Sequence, residues 1–244
     1  MLMKILSLIE LILARLQGKG WGSGTIKKEF ASASSLLNES PSLFIDIGGN
    51  KGLYTEEVLS NFPKCKVVIF EPSMSNSNLL HSKFLENENV TVEQYAVSNI
   101  ACEASLYSDT DGSVLASLTK RRLEHFDIAF DYSEKVTVIR FEDYWKKELD
   151  CANIGLVKLD IEGHELDALN GFGEALQFID VIQFEFGGCN IDTRTFWQDF
   201  WYFFKENNYD LYRITPFGKI KIRKYREFDE FFSTTNFLAK RISA

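Results

Sequence analysis

The sequence predicts a single domain of doubly wound α/β fold, and three observations carry that prediction. From residue 43 onward, apolar runs of four or five residues alternate with helix-length amphipathic stretches, as parallel strands covered on both faces do. Glycines, prolines and acids punctuate the ends of the runs, as in Gly48-Gly49 and Glu71-Pro72. A chain of 244 residues, 45% hydrophobic and 25% charged, suits one core that buries roughly 70% or more of its unfolded surface.

Residues 1–16 are apolar apart from Lys4, Ser7, Glu10 and Arg15. At 100° per residue those four share one sector, so this is an amphipathic helix with a narrow polar strip. It is shorter than the roughly 20 residues a bilayer span needs, and Glu10 interrupts any signal-peptide core. Its apolar face is expected to pack on the domain or on a partner subunit, with weak peripheral membrane contact as the alternative. Gly18, Gly20, Gly22 and Gly24 then read as a flexible connection, so that residues 1–24 stand outside the core of residues 43–241.

The first strand is residues 43–47, followed by a helix carrying Leu53, Val58, Leu59 and Phe62. Residues 67–70 form the second strand, 74–87 a helix and 90–97 the third strand. Residues 156–159 are the fourth strand, and 165–170 a helix closed by Gly171 and Gly173. Residues 181–184 are the next strand, 195–207 an aromatic helix, and 209–214 and 236–241 the last two strands. Phe196, Trp197, Phe200, Trp201, Phe203 and Phe204 read mainly as core. Lys219, Lys221, Arg223, Lys224 and Arg226 read as a solvated edge that discourages strand pairing; binding of an acidic acceptor is the sharper alternative. The stretch 98–145 breaks the alternation, with extra strands near 105–107 and 135–141. An insertion that long is usually a lid or an acceptor-binding element.

Composition excludes several functions. A net charge of −8 disfavours nucleic-acid partners, whose phosphates call for a basic face. Cys65, Cys102, Cys151 and Cys189 contain no C-x-x-C pair, so they read as buried free thiols of a cytoplasmic protein. None of His81, His125 and His164 pairs at i, i+4, and no histidine metal site is expected.

Chemistry concentrates in Asp46-x-Gly48-Gly49-Asn50-x-Gly52, where the first strand meets its helix. Glycines there let backbone approach a ligand and aim N–H groups at it. Glu71, 25 positions after Asp46, closes the second strand, where a carboxylate can accept both ribose hydroxyls. An acid two positions before the first glycine repels a pyrophosphate but suits an ammonium or sulfonium. S-adenosylmethionine carries both cations. An NAD(P)- or nucleotide-sugar-dependent oxidoreductase would share this fold and ribose acid, but G-x-G-x-x-G and a Tyr-x-x-x-Lys pair are missing. A non-catalytic binding module is the third reading.

The runs Phe44-Ile-Asp46-Ile-Gly48-Gly-Asn50-Lys-Gly52-Leu-Tyr54-Thr55, Val-Ile-Phe70-Glu71-Pro72, Ala96-Val97-Ser98 and Lys158-Leu-Asp160-Ile-Glu162-Gly163-His164-Glu165 resemble the FkbM family of S-adenosylmethionine-dependent methyltransferases over residues 43–241. The resemblance implies a Rossmann-like class I methyltransferase fold with a seven-stranded, mostly parallel sheet whose last strand is antiparallel. It implies Asp46 and Gly48 on the methionine portion, Asn50 steadying the turn, Glu71 on the ribose, and Ala96, Val97 and Ser98 beside the adenine. Gly52, Tyr54, Pro72 and Asp160 complete the implied cofactor set. Some members methylate hydroxyls of macrolides, sugars and related natural products, so the expected partner is a small-molecule or carbohydrate acceptor, and the expected reaction is O-methylation.

The acceptor side falls to Asp160, Glu162, His164 and Glu185. Alternate side chains of a strand share a face, so Lys158 and Asp160 point the same way. A carboxylate or imidazole can orient a hydroxyl and take its proton. Glu162 is equally suited to capping the following helix, and His164 to a surface position. Asp160, Glu162 and Glu185 could also hold Mg²⁺ through oxygen, although a metal-free site is the expectation.

Overall fold

The computed structural model describes residues 1–21 and 25–242; the part of the predicted glycine connection at 22–24 lies outside them. In chain order the elements are α1 (Leu2–Leu16), α2 (Ile26–Ser34), β1 (Leu43–Ile47), α3 (Leu53–Asn61), β2 (Lys66–Phe70), α4 (Met74–Lys83), β3 (Val90–Glu93), β4 (Ala96–Ser98) and β5 (Cys102–Ser108). There follow β6 (Tyr132–Arg140), α5 (Phe141–Glu148), β7 (Ile154–Leu159), α6 (Glu165–Asn170), β8 (Ile179–Phe186), α7 (Cys189–Thr193), α8 (Trp197–Glu206), β9 (Tyr209–Thr215), β10 (Gly218–Ile222) and β11 (Thr235–Arg241).

The main sheet runs β10-β9-β11-β8-β7-β1-β2-β3. Strands β3, β2, β1, β7 and β8 are parallel, while β11 is antiparallel to both β8 and β9. The two-residue side-chain period sorts β1 cleanly. Leu43, Ile45 and Ile47 enter a core with Phe141, Trp145, Leu169, Trp197 and Phe200 from α5, α6 and α8. Phe44 enters the opposite core, with Phe30, Ala33, Tyr54, Val58 and Leu80 from α2, α3 and α4. A strand buried on both sides needs a continuous apolar run, and Asp46 is the one polar residue in β1.

Four expectations are corrected. The sheet has eight strands, because β10 pairs with β9 as a hairpin and adds an edge beyond the expected seven. The predicted third strand divides at Gln94 and Tyr95. Residues up to Glu93 pair with β2, whose last residue is Phe70; with no ladder left, Ala96–Ser98 pairs with β6 in a second sheet of order β4-β6-β5. The insertion is therefore largely ordered β-structure around its own small core of Ala96, Leu106, Val136 and Val138. Two thiols, Cys102 and Cys151, are exposed rather than buried.

The fourth correction concerns the N-terminus. Helix α1 has no buried residue and does not pack on the domain. The described part of the glycine connection is docked rather than free: Gly18 lies so close to Ile214 that a Cβ there would meet its carbonyl oxygen at 2.2 Å, and the N–H of Gly20 donates to Thr235 Oγ1 at 3.2 Å. The aromatic helix is mainly core as expected, with Trp197, Phe200, Trp201 and Phe204 buried and Phe196 exposed.

Candidate functional site

Strand period and register assemble the site. Asp46, Lys158 and Gln183 stand side by side across β1, β7 and β8. One pleat further along, Glu185 faces Asn236 of β11, and Asp160 follows Lys158 just past the end of β7. Side chains two apart share a face, so all of these lie on the α2/α3 side of the sheet. Above them opens a cavity of about 470 Å³, lined by Gly48–Asn50, Tyr54, Glu71, Pro72, Ala96, Val97, Asp160, Glu162, His164 and Glu185. It lies at the carboxyl ends of the parallel strands, where ligands of open α/β sheets bind.

The turn after β1 is held tightly by the protein itself. The N–H groups of Gly48 and Gly49 both donate to the Phe70 carbonyl, at 2.9 and 3.2 Å. Asn50 N–H donates to Glu71 Oε2 at 2.7 Å, and Ser73 N–H to Oε1 at 3.0 Å. The sequence led us to expect free N–H groups aimed at a ligand; instead these donors are occupied, and no anion-binding nest is left at Gly48–Asn50. Gly48 has φ +85, and a Cβ on it would sit 2.0 Å from the Asp160 carbonyl oxygen. Only glycine lets β1 and β7 close up here.

Glu71 is buried, and burial pushes its carboxyl up to about 7 against the pull of its two backbone donors. Each of its oxygens keeps a further lone pair at the cavity wall, where ribose hydroxyls can donate. Asp46, Gly52 and Ser98 are not among the residues that line the cavity. Asp46 is fully buried beneath the wall: Thr55 Oγ1 donates to its Oδ2 at 2.7 Å, and its Oδ1 has no partner among the described residues. Burial raises its carboxyl, and the Lys158 ammonium opposes that. Gly52, at φ +73, begins α3 in close packing against Leu80 and Phe84. The Ser98 carbonyl packs against Gly171. Tyr54 lines the cavity with its ring, because its hydroxyl donates to Gln183 Oε1 at 2.6 Å.

The acceptor end collects side chains from distant segments. Lys158 Nζ donates to Asp160 Oδ2 at 3.0 Å. Glu162 adopts φ +54 and pairs with Arg121 from the insertion; it does not cap α6. Glu165, the first residue of α6, is fully buried and ties down the preceding loop by accepting the N–H groups of Ile161 and Gly163 at 2.9 and 3.1 Å. Burial, reinforced by Asp160, pushes Glu162 up to about 8 although Arg121 opposes it. Glu185 is held well above the usual carboxylate range by burial and by Asp160 and Glu162. Donor oxygens of Asp160, Glu162 and Glu185 lie within 4.8 Å of one another, a span one hard cation could bridge. His164 has both ring nitrogens engaged, Nδ1 with Asp167 and Nε2 with Thr119 Oγ1, each at 3.0 Å.

Sequence reasoning expected the insertion 98–145 to serve the acceptor, but named neither the residues of it that reach the cavity nor helix α2. The insertion segment 113–118 forms one wall and is pinned by Ser117 Oγ, which donates to the Glu162 carbonyl at 2.8 Å. Arg121 neutralises part of the carboxylate cluster and lies 3.6 Å from Asp192. Helix α2 contributes Ile26 and Glu29; Glu29 accepts a hydrogen bond from Gln183 Nε2 at 2.9 Å. Nothing local in the chain marks Arg121 or Glu29 individually, since each acts through a partner at least 40 positions away.

The sequence profile of the methyltransferase FkbM domain matches residues 46–211. The chain belongs to this family. Methyltransferase 1 of Beauveria bassiana (strain ARSEF 2860) is 20% identical over 147 residues, covering 54% of this chain and 59% of the relative. The chain thus spans about three fifths of the length of that curated relative. A provisionally assigned O-methyltransferase of Klebsiella pneumoniae has the same fold at 8% identity and TM-score 0.50, covering 91% of this chain and 81% of its own. Precorrin-6y C5,15-methyltransferase of Geobacter metallireducens GS-15 aligns at TM-score 0.45 and 10% identity over 88% of this chain and 87% of its own.

S-adenosylmethionine is the cofactor of an FkbM methyltransferase domain, and the residues present fit it. The occupied N–H groups offer nothing to a pyrophosphate, and the carboxylates at the wall suit a sulfonium and an ammonium. Family membership sets the NAD(P) alternative aside. Among the described residues, no helix is long and apolar enough to cross a membrane.

Proposed function

We propose that the protein catalyses O-methylation of a hydroxyl on a sugar, polysaccharide or other natural product. The observation that carries this reading is the convergence of Asp160, Glu162 and Glu185 on the cavity that Glu71 and the Gly48 turn also line. When bound, S-adenosylmethionine supplies an electrophilic methyl group. Glu71 would hold the ribose, Ala96 and Val97 would flank the adenine, and Gly48 would admit the methionine portion. A hydroxyl is a poor nucleophile until its proton is being removed, and a positioned base contributes about 10²–10⁴-fold. Asp160 is placed for that task, since Lys158 holds Oδ2 and Oδ1 accepts no hydrogen bond from the described residues. Glu162 and Glu185, whose carboxyls burial raises, would orient the acceptor's other oxygens. His164 would serve only after Thr119 withdraws.

The test is transfer of labelled methyl from S-adenosylmethionine to hydroxylated glycans and polyketides, beside amine acceptors of similar size. Calorimetry with S-adenosylmethionine and NAD(H) runs in parallel. Product methylated on oxygen is expected. Transfer to nitrogen only would overturn the O-methylation reading, and binding without any turnover would support the binding-module alternative.

A further inference from the structure

We propose that helix α1, with the β9–β10 hairpin and the loop after it, docks the protein onto an anionic lipid bilayer. Every residue of α1 is exposed or nearly so. Ile5, Ile9, Ile12 and Leu16 recur on one stripe, each 44–50% exposed. Fifteen residues rise only about 22 Å as helix, too short for a hydrocarbon core of about 30 Å, so the helix lies in the interface plane with its apolar face down.

Charge selects the occupant. Residues 1–28 hold five basic side chains and one acidic one, net +4, whereas the whole chain is at −8, leaving −12 on the remainder. An anionic surface attracts the first segment and repels the body, which orients the molecule as well as holding it. A twofold pair of chains joined through α1 would instead set this basic segment against its own copy.

The base of α1 is fixed to a second patch of the same character. Lys19 Nζ donates to the Phe228 carbonyl at 3.3 Å and lies 4.4 Å from the Phe231 ring centre. Gly18 packs on Ile214 and Thr215, beside the turn that carries Phe217. Phe217 and Phe228 are 81% and 89% exposed, among the most exposed aromatic side chains of the protein. Arg223 and Lys224 are exposed just after the same hairpin, while Lys221 and Arg226 pair with Asp210 and Asp229. An amphipathic helix rooted beside two bare phenylalanines, with Arg223 and Lys224 at the far end of the same hairpin, matches the chemistry of a lipid interface.

The experiment floats the full chain with vesicles of neutral phosphatidylcholine, or of phosphatidylcholine mixed with phosphatidylserine. At least about tenfold more protein should float with the anionic vesicles, and high salt should reduce that. Ile9→Glu with Ile12→Glu should abolish binding, and Arg223→Glu with Lys224→Glu should weaken it about tenfold or more. Both pairs lie outside the cavity, so calorimetric affinity for S-adenosylmethionine should stay unchanged, which separates failure of docking from failure of the fold or the cofactor site. Equal partition onto neutral and anionic vesicles, or none onto either, would overturn the proposal. So would a dimer seen by light scattering that the Ile9/Ile12 variant dissociates, since α1 would then be covered by a second copy.

Discussion

The two ends of the cavity are built in different ways. The end proposed for the cofactor rests on main chain: Gly48, Gly49 and Asn50 are tied to Phe70 and Glu71, all within about 25 positions of sequence. The acceptor end rests on side chains gathered from β7, β8, α7 and the insertion, with Arg121–Glu162 and Ser117–Glu162 bridging more than 40 positions. Backbone bonds hold the first end whatever ligand is present. The second depends on charge balance among buried groups, so it is sensitive to single side chains and to pH.

The largest effect expected to expose this difference is on chemistry alone. Asp160→Asn keeps shape and removes charge, so turnover should fall about 10²–10⁴-fold while S-adenosylmethionine affinity stays within about threefold. Retained turnover would make Asp160 structural and shift the base to Glu185 or His164. At the other end, Gly48→Ala forces a side chain into a left-handed conformation and onto the Asp160 carbonyl. It should destabilise the fold by at least about 2 kcal/mol, read as a lower thermal midpoint. An unshifted midpoint would mean that the turn is softer than its hydrogen bonds imply.

Glu71→Ala should weaken cofactor binding by about 1–3 kcal/mol, because Asn50 and Ser73 lose their acceptor, and should leave the apparent KM for the acceptor nearly unchanged. Arg121→Ala is its counterpart. Turnover should drop about tenfold as Glu162 loses a charged partner, with cofactor affinity intact by calorimetry. If both variants moved both quantities equally, the division into two ends would be false.

The smallest effect is on the pH dependence of stability. Glu71, Glu162 and Glu165 are raised to about 7, 8 and 7, so each is more easily protonated folded than unfolded. The stability they contribute is complete below the unfolded value near 4.5 and is lost as pH rises through about 7 to 8. Thermal midpoints should therefore fall between about pH 5 and pH 8, and Glu162→Gln, which cannot ionise, should flatten the upper part of that fall.

Legibility in the sequence follows the same division. Asp46-x-Gly48-Gly49-Asn50 and Glu71 could be read because a strand end, a glycine turn and a carboxylate are local signals. Asp160, Glu162 and Glu185 could be nominated singly from strand ends. Their approach to within 4.8 Å could not be read, nor could the arrival of Arg121. The burial of Asp46 could not be read either, since only the packed structure shows its carboxylate accepting from Thr55 Oγ1.

By itself, then, the sequence determined the alternation of strands and helices, the two-sided burial of β1 and the turn and strand end that line the cavity. Apolar period and glycine punctuation act over a few residues and do not depend on what lies across the molecule. Tertiary structure alone decided that residues 90–97 serve two sheets, that β10 adds an eighth strand, that α1 stays bare, and that Glu165 rather than Glu162 staples the loop before α6. Each of these depends on which hydrogen-bond donors, ladder partners or apolar faces remain free once distant segments have packed, and that competition is settled only in three dimensions.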